Sequence, residues 1–325
     1  MERVTLQFVS VDNLFSSADN WFPSEAPVAG DNLYIKKGTA IIYNDTVGAD
    51  GVKTSIGLIG LDRANPAVVV ADDVTFKNVD ITTKPPFAID PPYDYGGAKY
   101  GRLLLGGTVT NDGGSITASS ERLLSPTNID IVLAPGSTLI NTGDIGAYYS
   151  TMTIAGGDGS TLENDGSIRS DLSTVTVSMP LTGTGFVEVS AASSRSIVPG
   201  KLELNAPAGS GQTFLLNRAL LQLDQPLSFM GQVSADPSRG GIKVSLEGLS
   251  ATFWDVNGSS VEFFDAAGSV VDQLQFTTPQ DPATLVVFAG SDPTYGSVVS
   301  VGSGAGFGPQ TGDVLLPYYD TAATA

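Results

Sequence analysis

Carboxylates and phenols carry whatever chemistry this chain can do. It contains no His and no Cys, so zinc sites, thiol nucleophiles and every mechanism with an imidazole base are excluded. There are 34 Asp+Glu against 16 Lys+Arg, a net charge of −18. Among so many acids some pair will stand at glycosidase spacing by chance, so a carboxylate pair alone signals little. The aromatic residues are more selective. The stretch 84–100 holds four prolines together with Phe87, Tyr93, Tyr95 and Tyr100, and Tyr148 and Tyr149 form a second group. Prolines lower the entropy lost when a loop is ordered by a ligand. Tyrosines offer rigid amphipathic surface to a glycan or a protein. These six are the candidate binding residues; the alternative is that the same rings fold back onto the flank of the fold.

The elements that position them come from a repeat. Three segments align: GlyThrValThrAsnAspGly from Gly107, SerThrLeuIleAsnThrGly from Ser137 and SerThrLeuGluAsnAspGly from Ser160. Each has an apolar residue two before Asn, a Gly two after it, and a closing Ile (Ile116, Ile145, Ile168). The uneven spacing of the asparagines points to an insertion around 119–125. A weaker copy contains Phe76, Asn78 and Ile81, and a later one starts at Leu181. Side chains alternate faces along a strand, so Val109 shares a face with Asn111, Leu139 with Asn141 and Leu162 with Asn164. An Asn on the apolar face suits a solenoid corner, where stacked amides hydrogen-bond from coil to coil. Asn78, Asn111, Asn141 and Asn164 are therefore expected to form a structural ladder, with the following Gly supplying a left-handed turn. The expected fold is all-β: a right-handed parallel β-helix (β-solenoid), followed by a C-terminal hairpin/meander cap or small sandwich. A conventional sandwich or barrel is the alternative.

Composition agrees. Charged residues are 15% and Gly numbers 38, which favours short strands and tight turns over helices. Three regions are expected: opening strands and a cap over 1–40, coils over 41–210 with the inserted loop 84–100, and an acidic β-rich region over 211–325. From Val244 onward there are nine acids and no Lys or Arg. Such a tail repels itself until it is folded or neutralised, which makes Ca2+ the one candidate ligand ion. The metal-binding residues stay unknown. Nucleic acid is not an expected partner, since phosphate binding needs clustered Lys and Arg. No apolar run is long enough to span a membrane, and residues 1–20 lack a signal-peptide pattern.

The residues Ala18, Asn20, Trp21, Pro27, Gly30, Asp31, Ile35, Gly38 and Thr39 resemble an opening unit of secreted bacterial β-helix proteins. Autotransporter passengers and hemolysin- or adhesin-type surface proteins share it, and the resemblance covers about residues 13–190. It implies an extracellular or cell-surface location in a bacterium. The calcium nonapeptide of such proteins is absent, because Thr161 stands where GlyGlyAspGlySerThr (156–161) would need Asp. The C-terminal stretch, with LeuLeuProTyrTyrAsp at 315–320, resembles the uncleaved export signals of type I secretion. Of the polygalacturonase-like motifs only AspAsp at 72–73 is echoed. The expected function is a non-enzymatic surface or matrix protein, adhesin-like or self-assembling, whose partner is a second copy or a cell-surface glycan. A glycan-binding or glycan-cleaving β-helix of the phage-tailspike kind is the alternative, and a plain spacer the third.

Overall fold

The computed structural model describes residues 5–8, 14–35, 39–43, 46–58, 67–71, 73–83, 99–119, 127–191, 200–235, 241–290, 297–301, 309 and 311–319. The chain divides into two compact units, residues 1–169 with 173–179, and residues 170–172 with 180–325.

The first unit is a parallel β-solenoid. Each coil lays one strand on each of three sheets, here the A, B and C faces. On the A face strands Asn32–Ile35, Thr54–Leu58, Val79–Thr83, Ser115–Ser119 and Asp144–Tyr148 stack in order. The B face carries Thr39–Ile42, Ala67–Val70, Lys99–Leu105, Thr127–Leu133, Thr151–Gly156 and Thr174–Ser178. The C face carries Thr46–Gly48, Val74–Lys77, Thr108–Asp112, Thr138–Asn141 and Thr161–Asn164. Strict alternation sets which side of each strand turns inward. In Thr127–Leu133, for example, Ile129, Ile131 and Leu133 are buried while Asn128, Asp130 and Val132 face out. Each coil is too thin to bury its own apolar side chains, so the core exists only as coils stack.

The C-to-A corner is closed by two columns. Asn111, Asn141 and Asn164 are fully buried and lie in register. Asn111 Nδ2 donates to Asn141 Oδ1 at 2.7 Å, and Asn141 Nδ2 donates to Asn164 Oδ1 at 2.8 Å and to Ser167 O at 3.1 Å. Asn78 stands outside this column. Register places Phe76, not Asn78, over Asn111, and Asn78 occupies the corner itself with φ 51° and its amide on Ala49 O at 3.1 Å. The ladder therefore starts at Asn111, whose Oδ1 has no hydrogen-bond partner. The glycine that follows has a different role from the one expected. Gly143 and Gly166 are not left-handed; only Gly113, an extra residue at its corner, is (φ 68°). A Cβ on Gly143 would lie 2.2 Å from Gly114 O, and one on Gly166 2.1 Å from Gly143 O. Glycine is required because successive coils touch backbone to backbone.

The corners also differ in the length of chain that turns them. C-to-A connections are 49–53 at the first coil and then residue 78 alone, 113–114, 142–143 and 165–166. A-to-B connections are 36–38, 59–66, 84–98, 120–126, 149–150 and 172–173, so the three longest connections of this unit all fall at one corner. Of the loop expected over 84–100, Lys99 and Tyr100 belong instead to a B-face strand, and 84–98 lie outside the described residues.

At the N-terminal end, Asn20 and Trp21 hold a turn over the core. Asn20 Nδ2 donates to Leu14 O at 2.7 Å, Trp21 Nε1 donates to Phe15 O at 2.7 Å, and the Phe15 and Trp21 rings meet edge to face at 5.3 Å. Asp31 accepts from Val28 N at 2.9 Å to close the turn that leads into the first A-face strand.

The second unit begins with the same parallel winding. Phe186–Ser190, Thr213–Asn217 and Gln232–Ala235 stack in parallel, as do Gly200–Leu204, Ala219–Leu223 and Ile242–Leu246. The strands Thr213–Asn217, Ala219–Leu223, Gln232–Ala235 and Ile242–Leu246 thus belong to parallel coils, where the sequence reading expects hairpins from about Gly211. Alternation is the same in parallel and antiparallel strands, and the one-residue turn at Arg218 (φ 52°) resembles a hairpin turn in sequence. Antiparallel pairing starts beyond. Phe253–Asn257, Ser260–Phe264 and Val270–Phe276 form a meander, and Ser297–Val301 joins Ile242–Leu246 to Leu285–Ala289. Residues 314–319 then bridge both outer strands. Val314 and Leu315 pair with Ala289 and Phe288, while Tyr319 N donates to Trp254 O at 2.8 Å and Trp254 Nε1 to Leu316 O at 3.1 Å. One strap covers two sheet edges that would otherwise invite pairing with other chains. Trp254, Phe263 and Phe264 are buried in this cap.

Candidate functional site

The best-organised polar surface lies outside the A face. The residue before each inward Ile points outward, because the strand alternates. Register therefore aligns Ser55, Asp80, Ser115 and Asp144 on four successive coils, each just before Ile56, Ile81, Ile116 or Ile145. The column is tied together. Lys53 Nζ meets Asp80 Oδ2 at 2.5 Å, and Ser115 Oγ donates to Asp80 Oδ1 at 2.9 Å. Ser167 Oγ donates to Asp144 Oδ1, and Arg169 Nε lies 3.2 Å from the same oxygen. Thr117 Oγ1 donates to Thr82 Oγ1 at 3.2 Å in the neighbouring column. Two acids and two bases balance, on a chain that is otherwise strongly acidic.

Tyr148 completes the group. Its hydroxyl is 3.5 Å from Asp144 Oδ2, and its ring lies across Gly146, where a Cβ would be 3.1 Å from the ring. Glycine in the middle of the strand is what lets the ring lie down on the sheet. Burial, and then the Asp144 carboxylate, push the Tyr148 phenol above its ordinary value, with Arg169 acting the other way. Tyr148 is therefore a neutral hydroxyl at physiological pH, a hydrogen-bonding group and a poor base.

Of the sequence-derived binding residues, only Tyr148 is placed in this group. Tyr149 is the next residue, half-exposed in a left-handed turn at the A-to-B corner. Tyr100 lies on the strand Lys99–Leu105, in register with Asn128. Phe87, Tyr93 and Tyr95 lie outside the described residues, as does Asp72 of the AspAsp pair. The chain leaves the A face at Thr83 and returns to the B face at Lys99. Asp80, Ser115, Asp144, Ser167 and Arg169 were not singled out from sequence. The available signal was the polar residue before each closing Ile.

A second group of acids lies in the other unit. Gln222 Nε2 donates to both Asp224 Oδ1 and Glu247 Oε2 at 3.3 Å. Burial, and then hydrogen bonding to Glu247, hold the Asp224 carboxyl above the usual range. Among the described residues no group of three or more Asp or Glu converges to hold a metal ion, and no helix is long and apolar enough to cross a membrane. No family model and no curated protein matches the chain.

Proposed function

We propose that this protein is a non-enzymatic, adhesin-like β-solenoid of a bacterial surface that contacts glycan through the outer A face. The observation that carries this reading is the column Asp80–Ser115–Asp144–Ser167 with Arg169 and Tyr148 beside it. Hydroxyls, carboxylates, a guanidinium and a ring are held at fixed spacing on a rigid sheet, which is how neutral sugar hydroxyls are recognised without ordering cost. Contact is favoured over catalysis because Asp144 is already engaged by Ser167 and Arg169, and because Tyr148 keeps its proton. An extracellular setting rests on the resemblance of the opening turn, whose Asn20, Trp21 and Asp31 each have a defined structural task.

One observation keeps the glycan-cleaving reading in play. Asp80 and Asp144 are two coils apart, about 10 Å, at the upper edge of the spacing used by inverting glycosidases. The test covers both readings. Purified protein is titrated against immobilised neutral and acidic polysaccharides, and the supernatant is assayed for new reducing ends. Binding of a neutral polysaccharide that falls about tenfold in a Tyr148→Ala, Arg169→Ala double variant supports the adhesin. Undiminished binding by that variant rejects the A face as the contact. Release of reducing ends moves the protein to the enzyme class.

A further inference from the structure

We propose that the outer B face of the first unit is a docking surface for a second copy of this chain. A sheet exterior is normally polar where its interior is apolar. Here one outward column reads Ile41, Val69, Leu104, Val132 and Ala155 over five successive coils, each only partly buried. The column beside it carries Arg102 and Asp130 on adjacent coils and, among the described residues, no other charge. By contrast, Asp80, Asp144 and Arg169 mark the A face, and Lys77, Asp112 and Glu163 the C face. A contiguous apolar stripe on the outside of a sheet, in a chain at −18, marks an interaction site.

The charges identify the occupant. Arg102 and Asp130 are register partners, yet among the described residues neither enters an ion pair. Let a two-fold axis run along the strand direction, midway between their coils. Arg102 of one copy then faces Asp130 of the other, twice, and the apolar column lies on its own symmetry mate. The pattern is self-complementary, which is what an isologous dimer requires. Six strands about 4.8 Å apart, each about 17 Å long, offer about 400 Å² per copy, half of what a standard stable interface uses. The dimer is accordingly weak and forms where copies are concentrated. This proposal stands apart from the glycan reading, since it is measured with no glycan present.

Sedimentation velocity on the full chain, from about 10 µM to about 1 mM, is the test. The wild type should move from 33.5 kDa toward twice that mass. Arg102→Asp and Asp130→Arg should each weaken self-association about tenfold or more, by setting like charges opposite one another. The double exchange, and an equimolar mixture of the two single variants, should both restore it. Rescue by mixing shows that the single variants are folded. A wild type that stays monomeric throughout, or single variants that associate as the wild type does, would overturn the proposal.

Discussion

Replacing Asn141 by Ala should cost far more than replacing Asn111, the first member of its column, and the structure sets the size of the effect. Asn141 is the middle member: it accepts from Asn111 and donates to Asn164, Ser167 O and, at 3.3 Å, Gly143 O. Truncation takes a donor from Asn164 Oδ1 and Ser167 O. It also leaves the Asn111 amide only its longer contacts to Asp144 O and Gly114 O at 3.4 and 3.5 Å. At about 1–3 kcal/mol for each buried group deprived of its partner, the loss is about 3–5 kcal/mol. For a unit of this size each kcal/mol lowers the midpoint by about 2–4 °C, so the transition should fall by about 10 °C. Asn111→Ala is different. Asn111 Oδ1 is already unpartnered, so its removal takes away one good bond and one defect together, and about 1–2 kcal/mol is expected. Calorimetry and urea unfolding of both variants supply the comparison. An Asn141→Ala loss below about 1 kcal/mol, or an Asn111→Ala loss equal to it, would refute the ladder as an energetic element.

Three other substitutions test separate parts of the fold. Gly166→Ala places a Cβ 2.1 Å from the Gly143 carbonyl, so backbone must yield; a loss of about 2 kcal/mol or more is expected. Gly136→Ala, which meets nothing within 4 Å but has φ 73°, should cost only about 1 kcal/mol of backbone strain, and denaturant titration of the two ranks them. In the second unit, Asp224 has a folded pKa above its unfolded one, so the folded state holds the proton more tightly and stability falls as pH rises through the folded value. Asp224→Asn removes that slope; its stability advantage over the wild type should grow between about pH 4 and pH 7, and an advantage that shrinks over that range would contradict the carboxyl pair.

Much of the scaffold could be read from residues because a repeat states the same physics several times. Asn111, Asn141 and Asn164 each combine a buried amide, an apolar residue two before and a glycine after, and few folds need that combination. Asn78 misled because its sequence context is similar while its backbone is not: with Phe76 in the ladder position, Asn78 falls two residues on and takes the corner. The polar column of the A face was harder to see. Its members stand at intervals set by insertions elsewhere in each coil, so only register, which depends on every connection, brings Asp80, Ser115 and Asp144 together. The parallel winding of the strands between Thr213 and Ala235, and of Ile242–Leu246, was hidden for a related reason: alternation reports which side is buried, not which way the neighbouring strand runs.

The asymmetry between corners has a consequence for how such a molecule can change. Where asparagines and glycines meet, a side chain on Gly143 or Gly166 would collide with the coil before it, and that seam holds the pitch of the winding. Where the A and B sheets join, connections run from two residues to the whole of 84–98 without altering the register of the strands they link. Novelty can accumulate along that one line, lengthened, shortened or exchanged segment by segment, while the interior beneath keeps a single unchanging grammar.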